Sequence, residues 1–379
     1  MKVLFIIDSL GVGGAERSIA EIAANFKEFT PVVCHLFNNK DLKHIYDQHR
    51  IKVISLDLPK SYKDAQILPK LLEIVKSENP DLIHASLYRS MMLSRKIKTV
   101  IKIPLVNSFV SDSYSSARFN RLKLKTKLKL KYYQFIDRSS AKIADVFISN
   151  SQAIAGSNCK ALKLKSDKVK VIHRGRNFEK FSNVDERKVE NVKVELGLKN
   201  KKVFLNVGRL LESKGQQDVI YAFKDIAGTH PEAILLLAGE GNYRSVLEKL
   251  ISEYSLENRV FLLGQRNDIE VLLSVSDYFV FSSYFEGLPG ALLEAMMAGK
   301  IIIAGNIPEN RECVDETSAL FFNPGNVKQL RELMQKVLNN SDNYKHLGSN
   351  AKNIAAAKFD IKMISALYEE TYKNIISKS

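Results

Sequence analysis

No stretch of the chain approaches eighteen consecutive apolar residues, so no segment is expected to span a bilayer as a helix. Cysteine is almost absent: Cys34, Cys159 and Cys313 stand alone in 379 residues, with no CxxC pair. That scarcity excludes a disulfide framework and a thiolate zinc site, and it fits a reducing compartment. Seven histidines show no ligand spacing, so no metal and no cofactor is implied. The N-terminal run MKVLFIIDSLG meets Asp8 without a cleavage-like end, and it reads as a first strand, not a signal peptide. Acidic charge is the other shortage, and it is local. Residues 1–183 hold 33 lysines and arginines against 16 aspartates and glutamates, whereas the remainder holds 24 against 26. The net charge of +15 therefore belongs to the first half, which points to an anionic partner there: a membrane surface, nucleic acid or a phosphorylated substrate.

What is present is ordinary for a globular protein, 45% hydrophobic and 26% charged, at a length suited to two domains. Lys2 to Ile7 is a continuous apolar strand, followed by a glycine-rich loop to Gly14 and a helix from Ala15 to Phe26. Strand, glycine turn and helix open a doubly wound sheet. Gly11, Gly13 and Gly14 do not complete GxGxxG, so this turn serves either a ligand's close approach or tight strand–helix packing. Further strands at Thr30–Leu36, Lys52–Leu56, Leu82–Ala85, Pro104–Phe109, Asp145–Ser149 and Lys168–Ile172 alternate with helical stretches, which predicts a parallel sheet covered on both faces. Asn177 to Asn200 is polar and reads as a linker. A second series then runs through Lys202–Val207, Ala233–Ala238, Arg259–Leu263, Tyr278–Phe281, Ile301–Ala304 and Ala319–Phe322, and a final helix, Ile361 to Ile376, is expected to clasp back onto the first domain.

One segment interrupts the pattern: RFNRLKLKTKLKLKYY, Arg118 to Tyr133. Lys123, Lys125, Lys127, Lys129 and Lys131 alternate with mostly apolar residues. The lack of β-branched residues other than Thr126 favours a helix, with lysines around much of its circumference. Such a helix could lie on an anionic bilayer, each lysine contributing about 1 kcal/mol, or simply be solvated. No aromatic platform accompanies it, which weighs against nucleic acid.

In the second half, Arg209 follows a strand and Lys214 opens the next helix, both at the carboxyl edge of a sheet where open α/β folds bind ligands. Singly each is a common surface cation; together they suit a diphosphate. Tyr284 to Lys300, YFEGLPGALLEAMMAGK, places Glu286 in a loop, Pro289 in the first turn of a helix, Glu294 one turn further in, and Gly299 at its end. The helix start is an anion site, and a Glu on an apolar helix needs a ligand or a donor. Both glutamates also admit the plain reading of solvated or dipole-facing groups.

Gly208-Arg209-Leu…Lys214-Gly215, Gly239-Glu240-Gly241 and Glu286-Gly287-Leu288-Pro…Glu294-Ala together resemble glycosyltransferase family 4, retaining enzymes of the GT-B fold, and GGAER at Gly13 to Arg17 resembles that family's N-terminal loop. The resemblance implies two Rossmann-like domains with parallel sheets facing a central cleft: residues 1–180 on the acceptor side, with 360–379 packing back, and residues 181–359 binding the nucleotide sugar. It implies that Arg209 and Lys214 hold the diphosphate and that Glu286, with Gly287 and Leu288, meets the sugar. Glu294 takes the ribose, Gly13 and Gly14 approach phosphate or sugar, Gly208, Gly239 and Glu240 line the donor site, and Gly264 to Arg266 borders the base. Many relatives carry a histidine where this chain has Val110, so no protein base stands there. His84, Arg174 and Arg176 are acceptor-side candidates, although His84 also reads as a core or edge histidine. The reaction implied is transfer of a hexose or N-acetylhexosamine, without metal, from a UDP-sugar to a glycan or lipid-linked acceptor of surface polysaccharide or lipopolysaccharide. It would occur in the cytoplasm, peripherally at the membrane's inner face. A GT-B epimerase or phosphorylase and a noncatalytic membrane-binding protein are the competing readings.

Overall fold

The computed structural model describes the chain apart from Val12, residues 115–118, 120 and 121, and Ser379. Arg118 and Arg121 of the basic segment thus lie outside the described residues. The chain forms two compact units, Met1–Gly175 with Ile361–Ser379, and Arg176–Asp360.

The first unit is built on seven strands: β1 (Lys2–Ile7), β2 (Thr30–Phe37), β3 (Lys52–Leu58), β4 (Leu82–Ser86), β5 (Leu105–Phe109), β6 (Val146–Ser149) and β7 (Val169–Val171). They pair in parallel in the order β3-β2-β1-β4-β5-β6-β7. Side chains alternate across a strand, so Leu4 and Ile6 enter one core while Val3, Phe5 and Ile7 enter the other. A continuous apolar run is what a strand with helices on both faces requires.

The helix Ile361–Ile376 closes the second of these cores with Ile364, Tyr368 and Tyr372. Its buried Glu369 accepts backbone N–H bonds from Lys27, Glu28 and Phe29 at 2.8, 2.7 and 3.0 Å. This carboxylate therefore satisfies the turn that leads into β2.

The second unit has six parallel strands: β8 (Lys202–Val207), β9 (Ala233–Ala238), β10 (Val260–Gly264), β11 (Tyr278–Phe281), β12 (Ile301–Gly305) and β13 (Leu320–Phe322), in the order β10-β9-β8-β11-β12-β13. Both sheets reverse direction next to their first strand, at β1/β4 and at β8/β11, the switch points where doubly wound sheets open a ligand crevice.

The polar stretch expected as a linker is instead structured. It forms helices Phe178–Ser182 and Glu186–Glu195, capped by the side chains of Asn177 and Asp185. Phe181, Val192 and Leu198 enter the second unit's core, and the surrounding charges are the solvated sides of short helices. Among the described residues no helix is long and apolar enough to cross a membrane.

Candidate functional site

The switch point of the second sheet assembles most of the second-half candidates. Asn206 on β8 donates to the Val280 carbonyl on β11 at 2.8 Å, locking the two strands at the point of reversal. Beyond β8 the chain makes a short 3₁₀ turn, Glu212–Lys214, and Gly215 adopts a left-handed φ of +65° before helix Gln216–Thr229 begins. Lys214 thus precedes the helix that it was expected to open. A side chain at Gly215 would run into the Ser282 carbonyl, so glycine lets the two loops touch. Tyr284 N–H donates to the Ser213 carbonyl at 3.0 Å, and the Ser282 hydroxyl to the Lys214 carbonyl at 2.8 Å.

This stitching brings Lys214 and Glu286 together as a largely buried ion pair. A diphosphate reaching this edge would compete with Glu286 for the ammonium, and released carboxylate oxygens can accept from hydroxyls. Arg209, in the same loop as Lys214, is exposed, and its guanidinium has no ion-pair or hydrogen-bond partner among the described residues. Its carbonyl accepts from the Gln216 amide at 3.0 Å, which fixes the backbone while leaving the charge to solvent.

The ends of β8, β9 and β10 meet through their glycines. Gly208 N–H donates to the Ala238 carbonyl at 3.0 Å, and Gly239 N–H to the Gly264 carbonyl at 2.8 Å. Gly239, at φ +148°, has no room for a Cβ against the Gly208 carbonyl. Two expected charges are spent locally. Glu240 pairs with Arg244 at 2.6 Å, and Arg266 pairs with Asp268 at 2.6 Å and Glu195 at 3.0 Å. Those carboxylates push the Arg266 pKa further up.

Helix Gly290–Met297 begins after Pro289, which is its N-cap and not a first-turn residue; the Pro289 carbonyl accepts from Leu292 and Leu293 N–H. Leu288 is buried in the core, Gly287 is half-buried, and Phe285 is exposed beside Glu286. Glu294 is buried with Arg176 Nε at 2.8 Å. This overturns the acceptor-side expectation for Arg176: a carboxylate on an apolar helix needs a donor, and the arginine supplies it.

In the first unit, Gly13 caps helix Gly14–Ala24, and Glu16 folds back so closely that a Cβ on Gly13 would strike its carboxylate. A Cβ on Gly14 would sit 3.1 Å from both terminal nitrogens of Arg174. Arg174 also lines a small cavity with Ser86, Ser108, Val110, Asn150 and Tyr368. His84 lines the same cavity but belongs to the core. It is buried with Nδ1 2.5 Å from the Tyr372 hydroxyl and Nε2 2.6 Å from the Ser108 hydroxyl, and burial lowers its pKa to about 3. Lys123, Lys125, Lys129 and Lys131 are exposed and Lys127 is half-buried, on or just before helix Leu124–Ser140.

Sequence reasoning passed over one residue pair. The Tyr284 hydroxyl donates to Asp218 at 2.7 Å, which ties the Glu286 loop to helix Gln216–Thr229, and burial raises the Asp218 pKa. A buried Asp on an otherwise apolar helix face was the available signal. Among the described residues no group of three or more His, Cys, Asp or Glu gathers in a way that could hold a metal.

Two family models divide the chain between them: "Glycosyltransferase Family 4" matches residues 12–180 and "Glycosyl transferases group 1" matches residues 188–354. The capsular polysaccharide biosynthesis glycosyltransferase CapH of Staphylococcus aureus is 28% identical over 98% of each chain. The UDP-Gal:alpha-D-GlcNAc-diphosphoundecaprenol alpha-1,3-galactosyltransferase of Escherichia coli is 30% identical over 65% of this chain and 63% of that enzyme. Some matches therefore span only about three fifths of the relative, whereas CapH is matched almost throughout. Among solved structures, Anabaena Alr3699/HepE in complex with UDP has a TM-score of 0.84 at 25% identity, covering 99% of this chain and all of that one.

Proposed function

The chain belongs to the family 4 glycosyltransferases of GT-B type, and on that footing we propose that it moves a hexose or N-acetylhexosamine, with retention, from a UDP-sugar to a glycan or lipid-linked acceptor. The observation that carries this is the meeting of Lys214 and Glu286 at the β8/β11 switch point, in one loop system with the unpartnered guanidinium of Arg209. Cations for a diphosphate and a carboxylate for sugar hydroxyls thus share one edge. Uridine as the base is supported by the UDP held in the solved neighbour and by the UDP-galactose named for the E. coli relative. A polysaccharide or lipid-linked acceptor is supported by the names of the two curated relatives, and a reaction at a membrane surface by the basic first half.

The reaction follows from which groups are present. The anomeric carbon loses its bond to the diphosphate oxygen and gains one to the acceptor oxygen on the same face. The acceptor's proton passes to the departing diphosphate, since Val110 provides no base. Arg209, Lys214 and the N-terminus of helix Gly290–Met297 stabilise the growing negative charge. Glu286 orients the sugar and Glu294, steadied by Arg176, the ribose. No metal takes part, so turnover is unchanged by a chelator.

A thermal-shift screen across sugar nucleotides should single out one donor. With that donor and a lipid-linked acceptor, Arg209→Ala should lower turnover by about a hundredfold or more. Wild-type turnover in the variant would refute the assignment, as would inversion at the anomeric carbon in the product's NMR spectrum.

A further inference from the structure

Helix Leu124–Ser140 is held to the first unit by one side only. Leu130 packs against the core, the Gln134 amide donates to the Ala161 carbonyl at 3.1 Å, and buried Asp137 receives Arg95 at 2.7 Å and the Tyr114 hydroxyl at 2.8 Å. These three positions form one stripe at helical spacing. At about 100° per residue, Leu124, Leu128, Tyr132 and Phe135 form a second stripe, roughly 150° around the axis from the first. They are 74, 61, 62 and 71% exposed. Five of the eleven large hydrophobic side chains exposed among the described residues lie on this helix, Tyr133 being the fifth, so the apolar surface is concentrated there.

Lys125 and Lys129 flank the outer stripe on one side, and Lys127 and Lys131 on the other. The helix's one acidic residue, Asp137, faces inward. We propose that this face docks on an anionic bilayer, with Leu124, Leu128, Tyr132 and Phe135 entering the acyl boundary and the lysines meeting lipid phosphates. The pattern is that of an interfacial helix: apolar side chains on one face, basic groups at its margins, and too little apolar length to span. The charge decides against a second copy as occupant, because two such faces would set lysines against lysines. This deepens the proposed membrane location of the acceptor, yet it requires no donor and no transfer.

The full chain should float with vesicles of phosphatidylcholine and phosphatidylglycerol, and far less with phosphatidylcholine alone. Changing Lys125, Lys127, Lys129 and Lys131 to Gln should weaken binding by about fivefold per lysine. Part of the wild-type binding should survive raised salt, and that part should vanish when Leu124, Leu128, Tyr132 and Phe135 are changed to Ser; these side chains are exposed, so the melting temperature should hold. The chain has no tryptophan, so Leu128→Trp creates a sole fluorophore whose emission should shift to the blue on binding. Wild-type binding by the serine variant, or unmoved emission from bound Leu128→Trp, would overturn the proposal. So would a wild-type dimer in sedimentation that the serine variant abolishes. Because vesicle binding is read without sugar nucleotide, it can fail while transfer stands, and the reverse.

Discussion

Two residues carry consequences that their neighbours do not. His84 is buried neutral, with a pKa lowered to about 3, while the unfolded chain regains an ordinary imidazole. Between those values the unfolded state binds a proton that the fold refuses. Its contribution to stability is therefore complete above the ordinary histidine pKa and is lost progressively as pH falls below it. Urea midpoints at neutral and mildly acid pH should show a steep decline in the wild type. In His84→Gln the decline should be shallower by up to about 1.4 kcal/mol per pH unit. Equal slopes would mean that the ring is charged or solvated. Tyr284 offers a second test. Removing its hydroxyl in Tyr284→Phe strips a donor from buried Asp218, at a cost of about 1–3 kcal/mol in chemical denaturation. Because the same tyrosine anchors the Glu286 loop, donor affinity should weaken as well, whereas a purely local role would leave it unmoved.

At the scale of elements, the glycine edge of the second sheet separates necessity from accident. Gly239 is held at φ +148° against the Gly208 carbonyl, so Gly239→Ala must displace a strand end and should yield little folded protein. Gly228, inside helix Gln216–Thr229, meets nothing within 4 Å, and Gly228→Ala should stabilise by roughly 0.5–1 kcal/mol in the same denaturation assay. The strands themselves were legible in the sequence, because apolar runs such as Lys2–Ile7 and Ala233–Ala238 are bounded by glycine or charge. The site's loops were legible too, through Gly208-Arg209 and Glu286-Gly287. What escaped was pairing over long separations. Composition does not disclose that Arg176 reaches Glu294, or that Lys214 lies on Glu286, since each arginine or lysine has several carboxylates to choose among. Which face of helix Leu124–Ser140 turns inward was hidden for a similar reason, although the helix itself was expected. Its lysines and leucines allow several faces to turn inward, and the choice is made by Arg95 and Tyr114, distant in sequence, gripping Asp137.

For the whole molecule, the return of the chain matters more than its length. Residues 361–379 belong with the first unit although they follow the second, so the first unit is complete only after the last helix has been made. Each unit has its own cores on both faces of its own sheet, and this predicts two separable unfolding transitions in calorimetry. Glu369→Ala leaves three backbone N–H groups without their acceptor, a loss of about 2–4 kcal/mol. For a unit of this size that lowers one transition by roughly 5–15 °C. Arg176→Met removes the guanidinium that holds Glu294 in the second unit's core, at about 3–5 kcal/mol, and should lower the other. Two variants that each shift a different transition would establish that the C-terminal helix stabilises the unit at the opposite end of the sequence. A single transition moved equally by both would instead mean that the two units unfold as one.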